Sequence, residues 1–283
     1  MMKTIAVTGS SGFIGKRLVD SLRKDGNKIL ELDILNRFDL TDKKCLDDIT
    51  GFDAIVHLAA KSYVPDSFIN PLQFYYNNYT STLNILELAR RFSSKVIFFS
   101  SYVYGNPRYL PIDESHPLDA HNPYAQSKII CEKLCEGYSR DFDLPIIVFR
   151  PFNIYGTGQN SYFLIPTILN QVKIGLVKLQ DSRPRRDYLY IDDVISAIRL
   201  VISSPITHSD VFNLGNGVSH SISDIIDIIR DVYPHEFEVE FSGIVRKNEV
   251  MDIIADTNHA KVDLLWEPKI SLKEGITQMI NEL

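Results

Sequence analysis

The sequence predicts an α/β fold, a doubly wound parallel sheet with a smaller C-terminal α/β lobe, on three observations. Five short apolar runs, Thr4–Thr8, Lys28–Asp33, Asp53–Ala59, Lys95–Ser100 and Pro145–Arg150, alternate with helical patterns near 13–25, 41–49, 75–93 and 122–141. That alternation is the signature of parallel strands joined by crossover helices. The runs are nearly continuous Ile, Val, Leu and Phe, as expected where helices cover both faces of a sheet and neither face meets water. Between the first run and the first helix stands a glycine-rich turn, Thr8-Gly9-Ser10-Ser11-Gly12-Phe13-Ile14-Gly15, at the carboxyl end of a strand, where sheets of this kind bind ligands.

After Arg150 the pattern loosens into loops rich in Pro, Gly, Asn and Arg. It returns to a strand and helix at about 188–203 and to a short apolar run at Val211–Leu214. The expected division is therefore 1–152, with about 188–214, for a dinucleotide-binding domain, and about 153–187 with 215–283 for the smaller lobe. Two helix starts in that lobe are announced by capping boxes: Ser221-Ile222-Ser223-Asp224, with Asp in place of Glu, and Ser271-Leu272-Lys273-Glu274.

With 283 residues, 45% of them hydrophobic, the chain can bury a sizeable core. A formal charge of -6 argues against nucleic acid as the main partner and leaves small anionic ligands open. No apolar run is long enough to span a membrane, and Met1–Thr8 lacks a signal-peptide core, so a cytoplasmic protein is expected. Three cysteines suit a reducing compartment. Cys131 and Cys135 share a helix face, but no further ligand is spaced to join them, so no metal site is expected and both read as buried small hydrophobes.

In the glycine-rich turn Gly9 permits the tight bend, Gly12 lets backbone N–H groups approach a pyrophosphate, and Gly15 allows close helix–strand packing, with the helix dipole favouring the anion. The spacing is G-x-x-G-x-x-G, not the general G-x-G-x-x-G. The second run ends in Asp33, 18 residues after Gly15. A carboxylate there accepts hydrogen bonds from both ribose hydroxyls of NAD and repels a 2′-phosphate, so NAD is expected over NADP. Asp39-Leu40 and His57-Leu58-Ala59-Ala60 stand where loops and strand ends line adenine and pyrophosphate.

Asn122 as N-cap and Pro123 at the first helical position start a helix on which Tyr124 and Lys128 share a face. A phenol, with a pKa near ~10, is a poor base at neutrality, and an adjacent ammonium lowers it. Taken alone, the same segment describes a packing tyrosine and an exposed lysine paired with Glu132.

Set in order along nearly the whole chain, TGSSGFIG, HLAA, Asn78 in YYNNYTST, Ser100-Ser101 before VYG, Tyr124 with Lys128, RPFNIYG, RRDYLYIDDV and ADTNHAKVDLLWEP with SLKEGI resemble the extended short-chain dehydrogenase/reductase family, in particular its nucleotide-sugar epimerase, dehydratase and reductase branch. The resemblance implies a Rossmann-type domain and a catalytic set of a hydroxyl residue, Tyr124 and Lys128. Counting back from Val103-Tyr104-Gly105 gives the hydroxyl to Ser100. Only Tyr102 separates the serine pair from that motif, where two residues are usual, so Ser101 stays an alternative and is otherwise expected at the substrate. Cofactor contacts are implied at Gly9, Gly12, Phe13, Ile14, Gly15, Asp33, Asp39, Leu40, Leu58, Ala59, Ala60, Asn78, Tyr124 and Lys128.

The same resemblance places a nucleoside diphosphate sugar against Asn153, Arg186 and Arg246, in a chain locally basic at Arg183-Pro184-Arg185-Arg186. Sugar 4,6-dehydratases of the family carry an Asp-Glu pair after the catalytic hydroxyl, where this chain has Ser101-Tyr102. A 4-epimerase with bound NAD and a 4-ketoreductase remain, both using the same set. The family also implies a homodimer formed through the helices near 75–93 and 122–141.

Overall fold

The computed structural model describes every residue except Met1, Ile206 and 246–248. The chain divides into two compact units, one of residues 1–105, 117–151 and 195–212, the other of 106–116, 152–194 and 213–283. Residues 106–116, 152, 188–194 and 213–214 fall outside the expected ranges. Residues 106–116 join the second unit because Ile112 bridges Ala255 and its carbonyl accepts from Asn213 Nδ2 at 2.9 Å. Residues 188–190 go with them because their strand pairs within that unit's own sheet.

The first unit runs β1 (Thr4–Thr8), α1 (Phe13–Lys24), β2 (Lys28–Leu32), β3 (Ala54–His57), α2 (Val64–Ile69), α3 (Pro71–Phe92), β4 (Lys95–Phe99), α4 (Pro123–Phe142) and β5 (Ile146–Pro151). Among the described residues, the sheet order is β2-β1-β3-β4-β5 with β9 (Asp210–Leu214) at the edge, and the pairs from β2 to β5 are all parallel. The chain lays β2 on one side of β1 and returns to lay β3 on the other. The strand order therefore reverses at β1, and the crevice of a doubly wound sheet opens at the carboxyl ends of β1 and β3. On one face Leu32, Ile55 and Phe98 of the strands pack with Ile85, Leu86 and Ala89 of α3 and with Cys131 and Cys135 of α4. Both thiols are buried, as small hydrophobes.

Two departures from the expected helices have local causes. The stretch 41–49 forms only a single 3-10 turn, Lys43–Leu46. Asp39 accepts from the Thr41 N–H and hydroxyl, and Asp42 accepts from Lys44 N, so short side chains capture backbone donors that a helix needs. Helix α3 begins at Pro71, ahead of the apolar periodicity, because a proline fits a first helical position. Helix α4 starts as expected, with Asn122 Oδ1 accepting from Ala125 N at 2.8 Å.

The second unit holds β6 (Asn153–Tyr155), α5 (Leu164–Val172), β7 (Leu176–Leu179), β8 (Arg185–Tyr190), β10 (Ser219–Ser221), α7 (Ile222–Val232), β11 (Glu238–Phe241), α8 (Asn258–Asp263) and α9 (Leu272–Asn281). Strand β8 lies between β10, antiparallel, and β6, parallel, while β7 pairs with β11. Both capping boxes form, at Ser221 with Asp224 and at Ser271 with Glu274. Helix α6 (Ile191–Ser203) carries the chain from this unit back to the first. There Lys3 Nζ donates to Ile202 O, and Lys95 Nζ to Val201 O and Ser204 O, placing cations on the helix's C-terminal carbonyls.

Asp187, fully buried on β8, gathers the second unit's loops. Its carboxylate accepts from Asn216 N (2.6 Å), Gly217 N (2.9 Å) and Ala255 N (3.1 Å), while burial pushes its pKa up to about 6. An Asp187→Asn variant must turn an amide NH₂ toward one or two of these N–H donors. It is expected to lose about 2 kcal/mol of stability, read as a lowered midpoint in denaturant unfolding.

Candidate active site

At the carboxyl end of β1 the backbone is shaped by absent side chains. Gly9 has φ +63°, and a Cβ there would lie 2.9 Å from Ala59 N; a Cβ on Gly15 would lie 2.1 Å from Gly9 O. The turn thus packs directly on the loop after β3 and under the start of α1. Among the described residues, no side chain caps α1, no acid stands in its first turn, and the buried Ser10 hydroxyl has no hydrogen-bond partner. An uncapped 12-residue helix start with a spare hydroxyl beside it suits an anion, so the turn fits a dinucleotide pyrophosphate. Phe13 and Ile14 open that helix and are half-buried.

Asp33, past the end of β2, is buried and faces the turn. Its Oδ2 accepts from Ser11 N and its Oδ1 from Leu35 N, each at 3.0 Å. Each oxygen keeps a second acceptor site for a ribose hydroxyl. Asp39 is exposed and bound to Thr41, whereas Leu40 is buried.

Thr8, which the motif reading left unused, ties β1 to β3. Its hydroxyl accepts from Leu58 N and Ala59 N, both at 3.0 Å, so its own proton goes to His57 Nδ1 at 2.8 Å. His57 then carries its proton on Nε2 and donates to Thr82 Oγ1 at 3.1 Å. Burial first, then the Lys128 charge, holds the His57 pKa at about 3, so the ring is neutral. Ala60 follows in the same half-buried loop.

Asn78 differs from its expected role. Its Oδ1 accepts from Lys61 N (2.8 Å), and its Nδ2 donates to Lys61 O (3.1 Å) and Ser127 Oγ (2.9 Å). With both amide hydrogens donated within the protein, Asn78 braces the loop after Ala60 against α4.

The serines also part. The Ser100 hydroxyl donates to Glu132 inside the unit, whereas the Ser101 hydroxyl lies close enough to the Tyr124 phenol to act on its pKa. Ser101, the alternative, is thus the serine that meets the tyrosine. Lys128 is buried, not exposed. Its ammonium donates to Phe99 O at 2.7 Å and lies over the Phe98 ring, 4.9 Å from the centroid. Glu132 pairs with Arg150 rather than with Lys128. The expected lowering of the phenol by Lys128 is not what the structure shows. Burial raises the Tyr124 pKa, and the nearby Ser101 hydroxyl opposes that rise. Burial pulls the Lys128 pKa down.

In the second unit, Asn153 Nδ2 donates to Asp187 O at 3.2 Å. Arg246 lies outside the described residues. The expected basic loop is electrically answered: Arg183 by Asp181 (2.9 Å), Arg185 by Asp224 (3.1 Å) and Arg186 by Glu249. Arg186 also donates to Arg185 O and Val250 O, so its partners among the described residues use three of its five N–H donors. Asp181 stands two residues from Arg183 in the same loop, whereas Asp224 and Glu249 come from distant segments that charge counting along the loop does not reach.

The model of the NAD dependent epimerase/dehydratase family matches residues 5–215, most of the chain. The chain belongs to that family. Relatives agree along their whole lengths. A UDP-glucose 4-epimerase of Halalkalibacterium halodurans is 30% identical over 97% of this chain and 93% of its own. A GDP-6-deoxy-D-mannose reductase of Pseudomonas aeruginosa is 31% identical over 100% and 97%. Among solved structures, RMD from Pseudomonas aeruginosa, complexed with NADPH, superposes with a TM-score of 0.91 at 30% identity, covering 100% of this chain and 97% of that one. The chain is an extended short-chain dehydrogenase/reductase, an NAD-dependent nucleotide-sugar epimerase or reductase.

The neutral His57 carries a pH signature. Unfolded, the ring takes a proton below about pH 6.5; folded, it does not until about pH 3. Stability contributed by this ring is full above 6.5 and is lost as pH falls, by about 1.4 kcal/mol per unit for one proton. Denaturant unfolding between pH 7 and pH 5 is expected to show that slope, and a His57→Gln variant to lack one proton's share of it.

Proposed function

We propose that the chain is an NAD-dependent 4-epimerase of UDP- or dTDP-hexoses, with Ser101, Tyr124 and Lys128 as its catalytic set. The nearness of the Ser101 hydroxyl to the Tyr124 phenol carries the reading, because it brings a substrate-holding hydroxyl to an acid/base phenol. NAD, when bound, supplies hydride acceptance and return at the sugar carbon. The Ser101 hydroxyl holds the oxygen of the sugar 4-hydroxyl, and Tyr124, which burial keeps protonated until the positive charge of bound NAD is brought to the site, takes its proton once ionised. The phenol keeps that proton while the sugar is a ketone and returns it to the same oxygen. Lys128, held at Phe99 O, keeps two donors for the nicotinamide ribose and a positive charge on the helix that bears the phenol.

Tyr102 supports epimerisation over dehydration. It stands where dehydratases of the family carry an acid, and its hydroxyl donates to Gly105 O at 2.6 Å, inside its own loop. Asp33 supports NAD, since its buried carboxylate faces the turn and would repel a 2′-phosphate. Arg186 and Asn153 are the proposed contacts to the sugar nucleotide, with Arg246 from beyond the described residues. The second reading, a 4-ketoreductase, draws on the reductase relative and the NADPH-bound neighbour.

Incubation with UDP-glucose, UDP-galactose, their N-acetyl forms and dTDP-hexoses is expected to interconvert a 4-epimer pair without added reduced cofactor. Consumption of NADH or NADPH by a 4-keto sugar, with no epimer formed, gives the assignment to the reductase. Tyr124→Phe is expected to lower kcat by about 10²–10⁴-fold while NAD still binds.

Leu72, Tyr76 and Tyr79 of α3, with Phe68 and Ile69 of α2, form an exposed apolar stripe and support a homodimer through this face. Sedimentation at micromolar concentration is expected to give twice 32.3 kDa; a monomer there rejects the dimer.

A further inference from the structure

Behind Ser101 and Tyr124 lies a buried charge pair that the reaction itself does not use. Glu132 stands one helical turn past Lys128 on α4, and Arg150 lies on β5; both side chains are more than nine-tenths buried. Arg150 Nη2 donates to Glu132 Oε2 at 2.6 Å, and its Nε to both carboxylate oxygens at 3.1 and 3.2 Å. Each partner also grips the loop that follows β4. Glu132 accepts the hydroxyl proton of Ser100, and Arg150 Nη1 donates to the hydroxyl of the fully buried Tyr104 at 3.1 Å. Between these two pins stands Ser101, beside Tyr124 of the helix that carries Glu132.

The rest of the loop is held beyond Tyr104. Asp119 N donates to Val103 O at 3.0 Å, and Gly105, at φ +68°, packs so closely that a Cβ would lie 2.3 Å from Asp119 O. Stability by itself is a weak reason for such a pair, since apolar side chains of similar volume often replace buried ion pairs at no loss. What apolar side chains cannot do is hold two hydroxyls at set directions.

We propose that Glu132 and Arg150 are positioning residues, which pin the loop at Ser100 and Tyr104 so that the Ser101 hydroxyl meets the Tyr124 phenol, and that Ser100 anchors the loop and does not hold substrate. This rests on the reading of Tyr124 as the acid/base residue.

The test separates positioning from folding. Glu132→Met combined with Arg150→Met removes both charges and strands neither. Lys128 and Cys131, the titratable groups of α4 between Tyr124 and Glu132 in the chain, stay in place. The double variant is expected to unfold at a denaturant midpoint near that of the parent and to bind NAD equally. Its kcat is expected to fall about tenfold or more, with KM for the sugar within about twofold. Tyrosine ¹³Cζ NMR, assigned with Tyr124→Phe, is expected to show the Tyr124 phenol titrating about one unit higher. Adding Ser101→Ala to the double variant is expected to cost little more, because both changes break one contact.

A folded double variant with parental kcat and phenol titration overturns the proposal, as do fully additive losses with Ser101→Ala. If the double variant does not fold, Ser100→Ala and Tyr104→Phe each remove one pin and leave the ion pair whole. Each is then expected to lower kcat at unchanged KM and raise the phenol titration, and parental values in both overturn the idea. If the parent turns over no nucleotide sugar, the functional reading fails, and the phenol titration still decides whether the pair positions Ser101.

Discussion

The loop that follows β4 is tied to α4 and β5 by one buried electrostatic contact, that of Glu132 with Arg150. Two charges removed from water cost more than their attraction returns unless every remaining donor and acceptor is placed. Here the bidentate contact is completed by the hydroxyls of Ser100 and Tyr104. Meeting that requirement brings α4, β5 and the loop after β4 to set positions. Tyr124 and Lys128 ride on the same helix as Glu132, so the constraint that satisfies the charge also fixes the helix that bears them.

At the carboxyl ends of β1 and β3 a neutral counterpart operates. Thr8 spends both acceptor sites on Leu58 and Ala59 N–H groups, which dictates the His57 tautomer and links the strand ends to Thr82 on α3. The neighbouring turn leaves α1 uncapped and the Ser10 hydroxyl unpartnered. Saturated polar groups beside unsaturated ones are what a site built for an anion requires: a rigid frame with its donors left over at one place.

Features written in short-range pattern were legible. Strands covered on both faces read as apolar runs, and β1, β4 and β5 lie where those runs do. The capping boxes at Ser221 and Ser271 and the Asn122 cap needed only residues within one turn of each other. Illegible features turned on distant partners or on competition. Asn78 looked like a cofactor contact until Lys61 and Ser127 took up its amide, and the basic loop looked cationic until Asp224 and Glu249 answered it. The stretch 41–49 kept helical periodicity, yet Asp39 and Asp42 drew its backbone donors away.

The order of motifs by itself determined the family, the parallel sheet, the phosphate-binding turn and the placing of Tyr124 and Lys128 on one helix face. Those properties follow from periodicity and from residue types at fixed offsets along one segment. Which serine meets the phenol was decided only by the tertiary structure. Ser100 and Ser101 are chemically identical and adjacent, and a one-residue step at a strand end turns side chains in opposite directions. Glu132, brought 32 positions back along the chain by the fold, claims Ser100 and leaves Ser101 facing Tyr124. The charge state of the site was likewise a tertiary outcome, because burial and the choice of partner, neither written in any single segment, set where Lys128, His57 and Tyr124 titrate.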